Sequence, residues 1–304
     1  MSWFFIALAA PFLWSLVNII DKYLITKYIK KQSGFGGLTI FTSLIGIPAA
    51  LLIGLFTVGI FQVNILDKVL LLGVGGIMVV WVYLYFLALD IEDVSTVALW
   101  FLTIPIFGYI LGYIFLGETL SFQQIIGSLI ILFGLFLISV NWNGHNNKFK
   151  WKFLAYMLGS CFLIAVTSVI FKYVAVIDSF WVSSFWQYLG LSVFGILVYC
   201  FIPRYRGEFK SMVKNRGKNI FALTAIGEIF NIGGNLFSNY ALLLAPVALV
   251  CIVDSFQPAI IFLITIFCTF FLPNIVKENL NKRALLLKAI NIVIMLIGSV
   301  VLFV

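Results

Sequence analysis

Carboxylate and amide side chains occur inside stretches of the sequence that are otherwise apolar. Glu228, Asn231, Asn235 and Asn239 are separated by three, four and four residues, which places them on one face of an α-helix. Four polar groups in one stripe predict a water-filled path, because a charge in an apolar helix is costly unless it faces water or a partner. The alternative is a ladder of interhelical hydrogen bonds, each worth roughly 0.6 kcal/mol.

A second carboxylate, Asp254, precedes Pro258 by four residues. Proline has no N–H, so the backbone carbonyl of residue 254 would lose its intrahelical partner. A free carbonyl beside a carboxylate could hold a cation, a proton or an amine, and Gln257 adds a donor and an acceptor. The alternative is a kinked helix in which Asp254 pairs with Lys22 or Lys172.

Aromatic and further polar side chains share these apolar stretches. An aromatic wall opposite the carboxylates would suit an aromatic or organic-cation substrate through cation–π contact, whereas lipid-facing positions are the alternative for each ring. Asp21 and its neighbour Lys22 are expected to anchor the first helix at the membrane interface. The remaining candidates for a binding site are Asn18, Trp81, Tyr85, Trp100, Gln187 and Tyr188.

The elements that would position these residues are predicted from composition. The 304 residues are 63% hydrophobic and only 10% charged, so the solvent for most of the chain must be lipid. A membrane-spanning helix needs roughly 20 apolar residues, and continuous apolar runs favour helices over a β-barrel. The predicted spans are 2–25, 34–57, 68–89, 94–115, 121–141, 152–175, 179–202, 218–242, 246–271 and 284–304.

The basic residues predict an orientation for these ten spans. Sixteen of the nineteen lysines and arginines lie in the odd-numbered loops or at their flanks, and loops of this kind stay in the cytoplasm. This pattern places both termini outside the cytoplasm and argues for membrane topology rather than nucleic-acid binding. The expected location is the plasma membrane. The sixteen are Lys27, Lys30, Lys31, Lys148, Lys150, Lys152, Arg204, Arg206, Lys210, Lys214, Arg216, Lys218, Lys277, Lys282, Arg283 and Lys288.

The two halves of the chain echo each other. Shifted by 150 positions, Lys22 falls on Lys172, and shifted by 153 positions, Pro105 falls on Pro258. Five spans per half is an odd number, so the second half would enter the membrane from the opposite side. We expect two inverted five-helix repeats, at 1–141 and 152–304, which is a common plan of secondary transporters.

These residues carry a family resemblance. Trp14 followed eight positions later by Lys22 resembles the first-helix pattern of the drug/metabolite transporter superfamily, in its EamA-type ten-helix branch, although Ser15 stands where glycine is usual. The segment from Thr103 to Ile138, TIPIFGYILGYIFLGETLSFQQIIGSLIILFGLFLI, resembles its fourth-to-fifth-helix signature. The resemblance implies a transporter of small organic solutes such as amines, amino acids or aromatic metabolites. It also implies cytoplasmic termini, which conflicts with the loop charges.

Patterns of enzymatic chemistry do not occur in the sequence. The chain has one histidine, His145, and no P-loop, G-x-S-x-G or H-E-x-x-H motif, so neither an enzyme nor a cofactor or metal site is expected. The predicted function is alternating-access transport, with Glu228 and Asp254 binding a coupling proton or a cationic part of the substrate. The alternatives are a flippase for an amphipathic head group, attracted by the basic loops, and a membrane scaffold. The expected partners are the bilayer and a small solute, and both a monomer and a homodimer remain open.

Overall fold

Helices make up the regular structure in the part of the chain that the computed structural model describes, which is residues 2–28, 34–92, 94, 97, 100–139, 151–215, 217–271, 290, 293–294 and 296–301. A 3₁₀ turn at Phe101–Thr103 leads directly into α5. The helices are α1 (Ser2–Tyr28), α2 (Phe35–Leu44), α3 (Gly46–Phe56), α4 (Ile65–Ile91), α5 (Ile104–Leu116), α6 (Phe122–Ser139), α7 (Trp151–Ala175), α8 (Phe180–Phe201), α9 (Pro203–Asn215), α10 (Gly217–Leu242), α11 (Val247–Asp254) and α12 (Gln257–Phe271).

Six helical stretches are long and apolar enough to cross a bilayer. Phe101–Leu116 and Phe122–Gly134 are shorter apolar helices. Because helices satisfy their own backbone hydrogen bonds, long apolar helices are the form that such sequences adopt in lipid. The chain is therefore an all-α, multi-pass membrane protein, as the composition predicts. The six stretches are Ser2–Ile25, Phe35–Phe56, Ile65–Ile91, Trp151–Ala175, Phe180–Phe201 and Val247–Ile264.

The first nine predicted spans all contain helical residues, as do the described positions of the tenth, between 290 and 301. The predicted basic segments 142–150 and 272–283 lie outside the described residues. Lys152, which flanks the first of them, is described and lies at the start of α7. Residues 284–289 of the tenth predicted span also lie outside the described residues.

One helix lies where the sequence predicts a loop. Helix α9 turns its Tyr205, Phe209 and Met212 inward, while Arg204 and Lys210 are exposed. It packs against α2, and the Glu208 carboxylate accepts a 3.1 Å hydrogen bond from the backbone N–H of Gly36. At thirteen residues, α9 is too short and too polar to be recognised as a span, so a hydropathy-based prediction misses it.

Two of the predicted spans are broken rather than kinked. Pro258 is the second residue of α12, and Ser255 and Phe256 separate α12 from α11. In the same way, Pro105 is the second residue of α5, which follows the 3₁₀ turn. Proline is tolerated in the first turn of a helix because those N–H groups need no intrahelical acceptor. Each proline therefore lies in the first turn of the helix that follows the break.

The helices pack around a central space. Helix α1 lies along α10, and α4 lies along both α7 and α8. At the crossing of α4 and α8 a side chain on Gly75 would collide with the backbone of Gly190 and Leu191, and one on Gly190 would collide with the backbone of Leu72. The two helices therefore meet backbone to backbone, which only small residues permit. Helix α5 packs between α7 and α11.

Candidate functional site

A cavity lies between the two halves of the chain, with about 1050 Å³ of empty space including its opening. Every helix that the sequence marks with polar residues contributes to its wall. The lining residues are Trp14, Val17, Asn18 and Asp21 from α1, Thr42 from α2, Met78, Trp81, Val82, Tyr85 and Phe86 from α4, Phe101, Ile104, Ile164, Thr167, Ser168, Gln187, the α10 residues Glu228, Asn231, Asn235, Ser238 and Asn239, and Cys251, Asp254, Ser255 and Gln257.

The predicted polar stripe of α10 faces this cavity. The Glu228 carboxylate is buried and accepts hydrogen bonds from Thr42 Oγ1 at 2.6 Å and from Asn231 Nδ2 at 3.1 Å. Asn235 Nδ2 donates to Asn231 Oδ1 at 3.4 Å. The predicted water-filled path and the predicted hydrogen-bond ladder are thus combined, since the residues of the stripe bond to each other and also line an open space.

Further along α10, Asn239 joins a second group of polar side chains. Its Nδ2 donates a 2.9 Å hydrogen bond to Gln187 Oε1 on α8, and Gln187 Nε2 lies 3.3 Å from Met78 Sδ on α4. Both Gln187 and Asn239 are buried. This chain of contacts connects α10 through α8 to α4 across one wall of the cavity.

Asp254 is the last residue of α11, at the helix break. Its Oδ2 accepts a 2.8 Å hydrogen bond from Ser238 Oγ, and its Oδ1 is buried without a hydrogen-bond partner among the described residues. The predicted alternative partner Lys172 pairs instead with Glu118, at 2.5 Å, and donates to the carbonyl of Ala245 at 2.7 Å. The carboxylate of Asp254 therefore keeps an acceptor position inside the cavity wall.

The second alternative partner, Lys22, also binds elsewhere. Its Nζ donates to the backbone carbonyls of Leu89 and Glu92, each at 3.2 Å. These carbonyls close the C-terminal end of α4, where a cation is favourable to the helix dipole. Lys22 therefore connects α1 to α4, and its anchoring at the membrane interface stays a prediction.

Asp21 is one of the cavity-lining residues that the sequence interpretation missed. It was expected at the interface, but it is only 9% exposed and lines the cavity. The hydroxyl of Tyr85 donates to Asp21 Oδ2 at 3.3 Å and to Asn18 Oδ1 at 2.9 Å. Asp21 follows Asn18 by three residues, and residues three apart share a helix face. This spacing is the signal that could have identified Asp21.

The aromatic candidates divide into two groups. Trp81 and Tyr85 line the cavity, together with Trp14 and Phe101, which were not predicted. Trp100 packs edge-on against Phe153, with ring centroids 6.1 Å apart, and is not a lining residue. Tyr188 is buried, and its hydroxyl donates to the carbonyl of Ile232 at 3.3 Å. Neither Trp100 nor Tyr188 belongs to the lining of this cavity.

The remaining nine candidates meet at the one cavity. Asn18, Trp81, Tyr85, Gln187, Glu228, Asn231, Asn235, Asp254 and Gln257 all belong to its lining. Among the described residues, the lining contains three carboxyl groups, those of Asp21, Glu228 and Asp254, and no lysine, arginine or histidine. Carboxyl groups and aromatic rings without a competing cationic side chain are suited to hold a cation. The described residues contain no cluster of three histidine, cysteine, aspartate or glutamate side chains that could hold a metal ion.

Comparisons with known proteins agree with this architecture. One solved structure, described as a crystal structure of a protein, superposes with a TM-score of 0.67 at 18% identity, covering 99% of this chain and 95% of its own. At this identity the likeness shows the fold alone. No match was found among curated proteins. Residues 1–140 match the EamA-like transporter family. The first 140 residues, somewhat less than half of the chain, are therefore similar to the EamA-like transporter family, a part of the drug/metabolite transporter superfamily.

Proposed function

We propose that the protein is a secondary transporter that moves a small organic solute, such as an amine, an amino acid or an aromatic metabolite, by alternating access. The observation that carries this proposal is the anionic cavity at the break between α11 and α12, where Asp254 Oδ1 has no hydrogen-bond partner among the described residues. Broken helices beside a central binding site are the usual construction of secondary transporters. The match of residues 1–140 to a transporter family gives no support to lipid flipping.

Residues 1–141 and 152–304 would be the two inverted repeats. Two lysine contacts support this division, since Lys22 donates to the carbonyl of Glu92 and Lys172 donates to the carbonyl of Ala245. Lys172 lies 150 positions after Lys22, and Ala245 lies 153 positions after Glu92. The same shift relates the packing of α1 on α10 to the packing of α7 on α4.

An asymmetry between the repeats supports alternating access. Helix α4 packs tightly on α8, but the corresponding pair, α10 with α2 and α3, has no comparable interface. The Thr42–Glu228 hydrogen bond joins α2 to α10. If α10 packed closely on α2 and α3 while α4 separated from α8, one side of the cavity would close and the other would open. Inverted repeats alternate access in this way.

Glu228 and Asp254 would bind the coupling proton or a cationic part of the substrate. Purified protein in liposomes, assayed for uptake of radiolabelled amines with and without a pH gradient, tests this assignment. Glu228→Gln and Asp254→Asn should each abolish uptake while the protein stays monodisperse and keeps its melting temperature. Full uptake by both variants would remove the carboxylates from the mechanism.

We also propose that the odd-numbered loops and α9 face the cytoplasm in the plasma membrane, with both termini outside. The exposed basic side chains of Arg204, Lys210 and Lys214 on α9 support this orientation. In a cysteine-free background, an impermeant maleimide should label Asn64→Cys in intact cells and Lys210→Cys only after permeabilisation. The reverse labelling would establish cytoplasmic termini instead.

A further inference from the structure

We infer that the cavity binds a linear organic dication, with one ammonium group at Asp254 and the other at Glu228 and Asp21. This inference deepens the proposed function and rests on it for the transport of the ligand, although binding can be tested independently. The three carboxylates lie in two groups rather than one. Asp254 belongs to the α11 end of the cavity, whereas Asp21 and Glu228 follow Ile20 and Gly227, which face each other where α1 packs on α10.

The carboxyl side chains form two groups, which offer two separate positions for a positive charge. Among the described residues, no cationic side chain lines the cavity. Lys172 is bound to Glu118, and Lys22 is bound to the end of α4. A ligand with one ammonium group would leave the carboxylate group at the other end without a counter-charge, whereas a dication would pair with both.

The helix break adds to the attraction at the Asp254 end. Asp254 is the C-terminal residue of α11, and the C-terminal end of a helix carries partial negative charge. Its Oδ2 is held by Ser238, so the carboxylate is fixed while Oδ1 has no hydrogen-bond partner among the described residues. An ammonium group at this point would supply the missing donor in a charge-assisted hydrogen bond.

The separation of the two ends sets the length of the ligand. Ser238, which holds Asp254, lies ten residues after Glu228 on α10, so the two levels are about 15 Å apart along the helix. The Glu228 carboxylate accepts a hydrogen bond from Asn231, which lies between Glu228 and Ser238 on α10. The distance between the carboxylates of Glu228 and Asp254 is therefore shorter, roughly 10–15 Å. Allowing about 2.8 Å for a hydrogen bond at each end leaves roughly 5–10 Å between the two nitrogens.

This distance corresponds to a short α,ω-diaminoalkane. An extended chain advances roughly 1.2 Å per bond, so about three to seven carbons would span the gap. Trp14, Trp81 and Phe101 line the same cavity and offer apolar surface to the methylene groups and ring faces to the ammonium groups. The amides of Asn231 and Asn235 lie on α10 between the two ends.

Calorimetric titration of the purified protein with α,ω-diaminoalkanes of about two to ten carbons, and with n-alkylamines of the same lengths, tests the inference. We expect an affinity maximum at about three to seven carbons, with the best diamine binding about tenfold or more tightly than its matched monoamine. Equal affinities for monoamine and diamine, or the absence of a maximum, would overturn it. Failure of every amine to bind would overturn it as well.

Variants identify the two ends. Asp254→Asn, and Asp21→Asn combined with Glu228→Gln, should each reduce the best diamine to the affinity of its monoamine and abolish the length maximum. Asp178→Asn is the matched control, because this carboxylate lies between α7 and α8 and does not line the cavity. A length maximum that survives in both cavity variants would contradict the two-point site. Melting curves exclude misfolding.

Uptake into liposomes distinguishes a failure of this inference from a failure of the proposed function. Diamines that bind with a length maximum but do not enter liposomes would leave the binding site in place and refute transport. Conversely, carboxylate-dependent uptake of monoamines or amino acids without preference for diamines would preserve the transporter and refute the dication.

Discussion

Ser238 on α10 donates a 2.8 Å hydrogen bond to Asp254 at the end of α11. The two residues are sixteen positions apart, on either side of the turn that joins these helices. Helix α10 therefore carries Glu228 and at the same time orients the second carboxylate of the cavity. Movement of α10 relative to α11 would alter both binding points together.

Ser238→Ala removes the donor that fixes Asp254. The loss of one hydrogen bond to a charged group should lower the free energy of unfolding by about 1.5–3 kcal/mol and weaken amine binding. Thermal unfolding in detergent and calorimetric titration measure the two effects. The control is Ser128→Ala, whose hydroxyl bonds only the carbonyl of Gln124 in its own helix. Equal amine affinity in both variants would show that Ser238 does not orient Asp254.

Glu118 connects α7 to the start of α11, and its removal should destabilise the protein. It pairs with Lys172 and also accepts a 2.8 Å hydrogen bond from the backbone N–H of Val247, at the start of α11. Glu118→Ala removes both contacts and should cost about 3–5 kcal/mol, whereas Lys172→Met removes the ion pair and the hydrogen bond to the carbonyl of Ala245 but leaves the one from Val247. Melting temperatures of the single and double variants measure the coupling, with Lys152→Met as the exposed-lysine control. A Glu118→Ala variant with the melting temperature of the wild-type protein would contradict this role of Glu118.

Gly75→Ala should force α4 and α8 apart. A Cβ at this position would overlap the backbone of Gly190 and Leu191, which cannot move as a side chain can. We expect a cost of about 1–3 kcal/mol from overpacking, seen as a lower melting temperature. Gly73→Ala is the matched control two residues away, because nothing lies within 4 Å of its Cβ. If the helices alternate between two arrangements, Gly75→Ala should also slow solute exchange, while Gly73→Ala should not.

Tyr85→Phe should weaken the Asp21 end of the cavity. The hydroxyl bonds Asn18 and Asp21, both buried, so its removal leaves two acceptors without this donor and should cost about 1–3 kcal/mol. Thermal unfolding and amine titration measure the effect. Tyr109→Phe removes a hydroxyl from a tyrosine that is 40% exposed and should change neither quantity. Unchanged amine binding in Tyr85→Phe would exclude this hydroxyl from the site.

Several features of the site follow from local sequence. The α10 stripe was predictable because its spacing matches the helix period, and a carboxylate in an apolar helix must face something polar. Asp254 was predictable because Pro258 removes a backbone donor at a known distance along the chain. Both inferences need only the geometry of one helix.

Other features depend on contacts between distant segments. Trp100 and Tyr188 were expected in the cavity but pack against Phe153 and Ile232. An aromatic ring in a membrane helix can face lipid, a neighbouring helix or a cavity at similar cost, so its direction depends on how the helices are rotated. Asp21 was assigned to the interface for the same reason, because its position near the end of α1 does not reveal that Tyr85 of α4 lies beside it.

The sequence by itself determined that most of the chain lies in lipid, that the fold is helical, and which helices carry polar groups. These properties depend on the cost of placing apolar residues in water and polar residues in lipid, which each segment experiences separately. The tertiary structure alone decided which polar groups meet, that α9 is a helix packed on α2, and that three carboxylates share one cavity. Such relations are decided by the packing of helices, which depends on residues far apart in the chain.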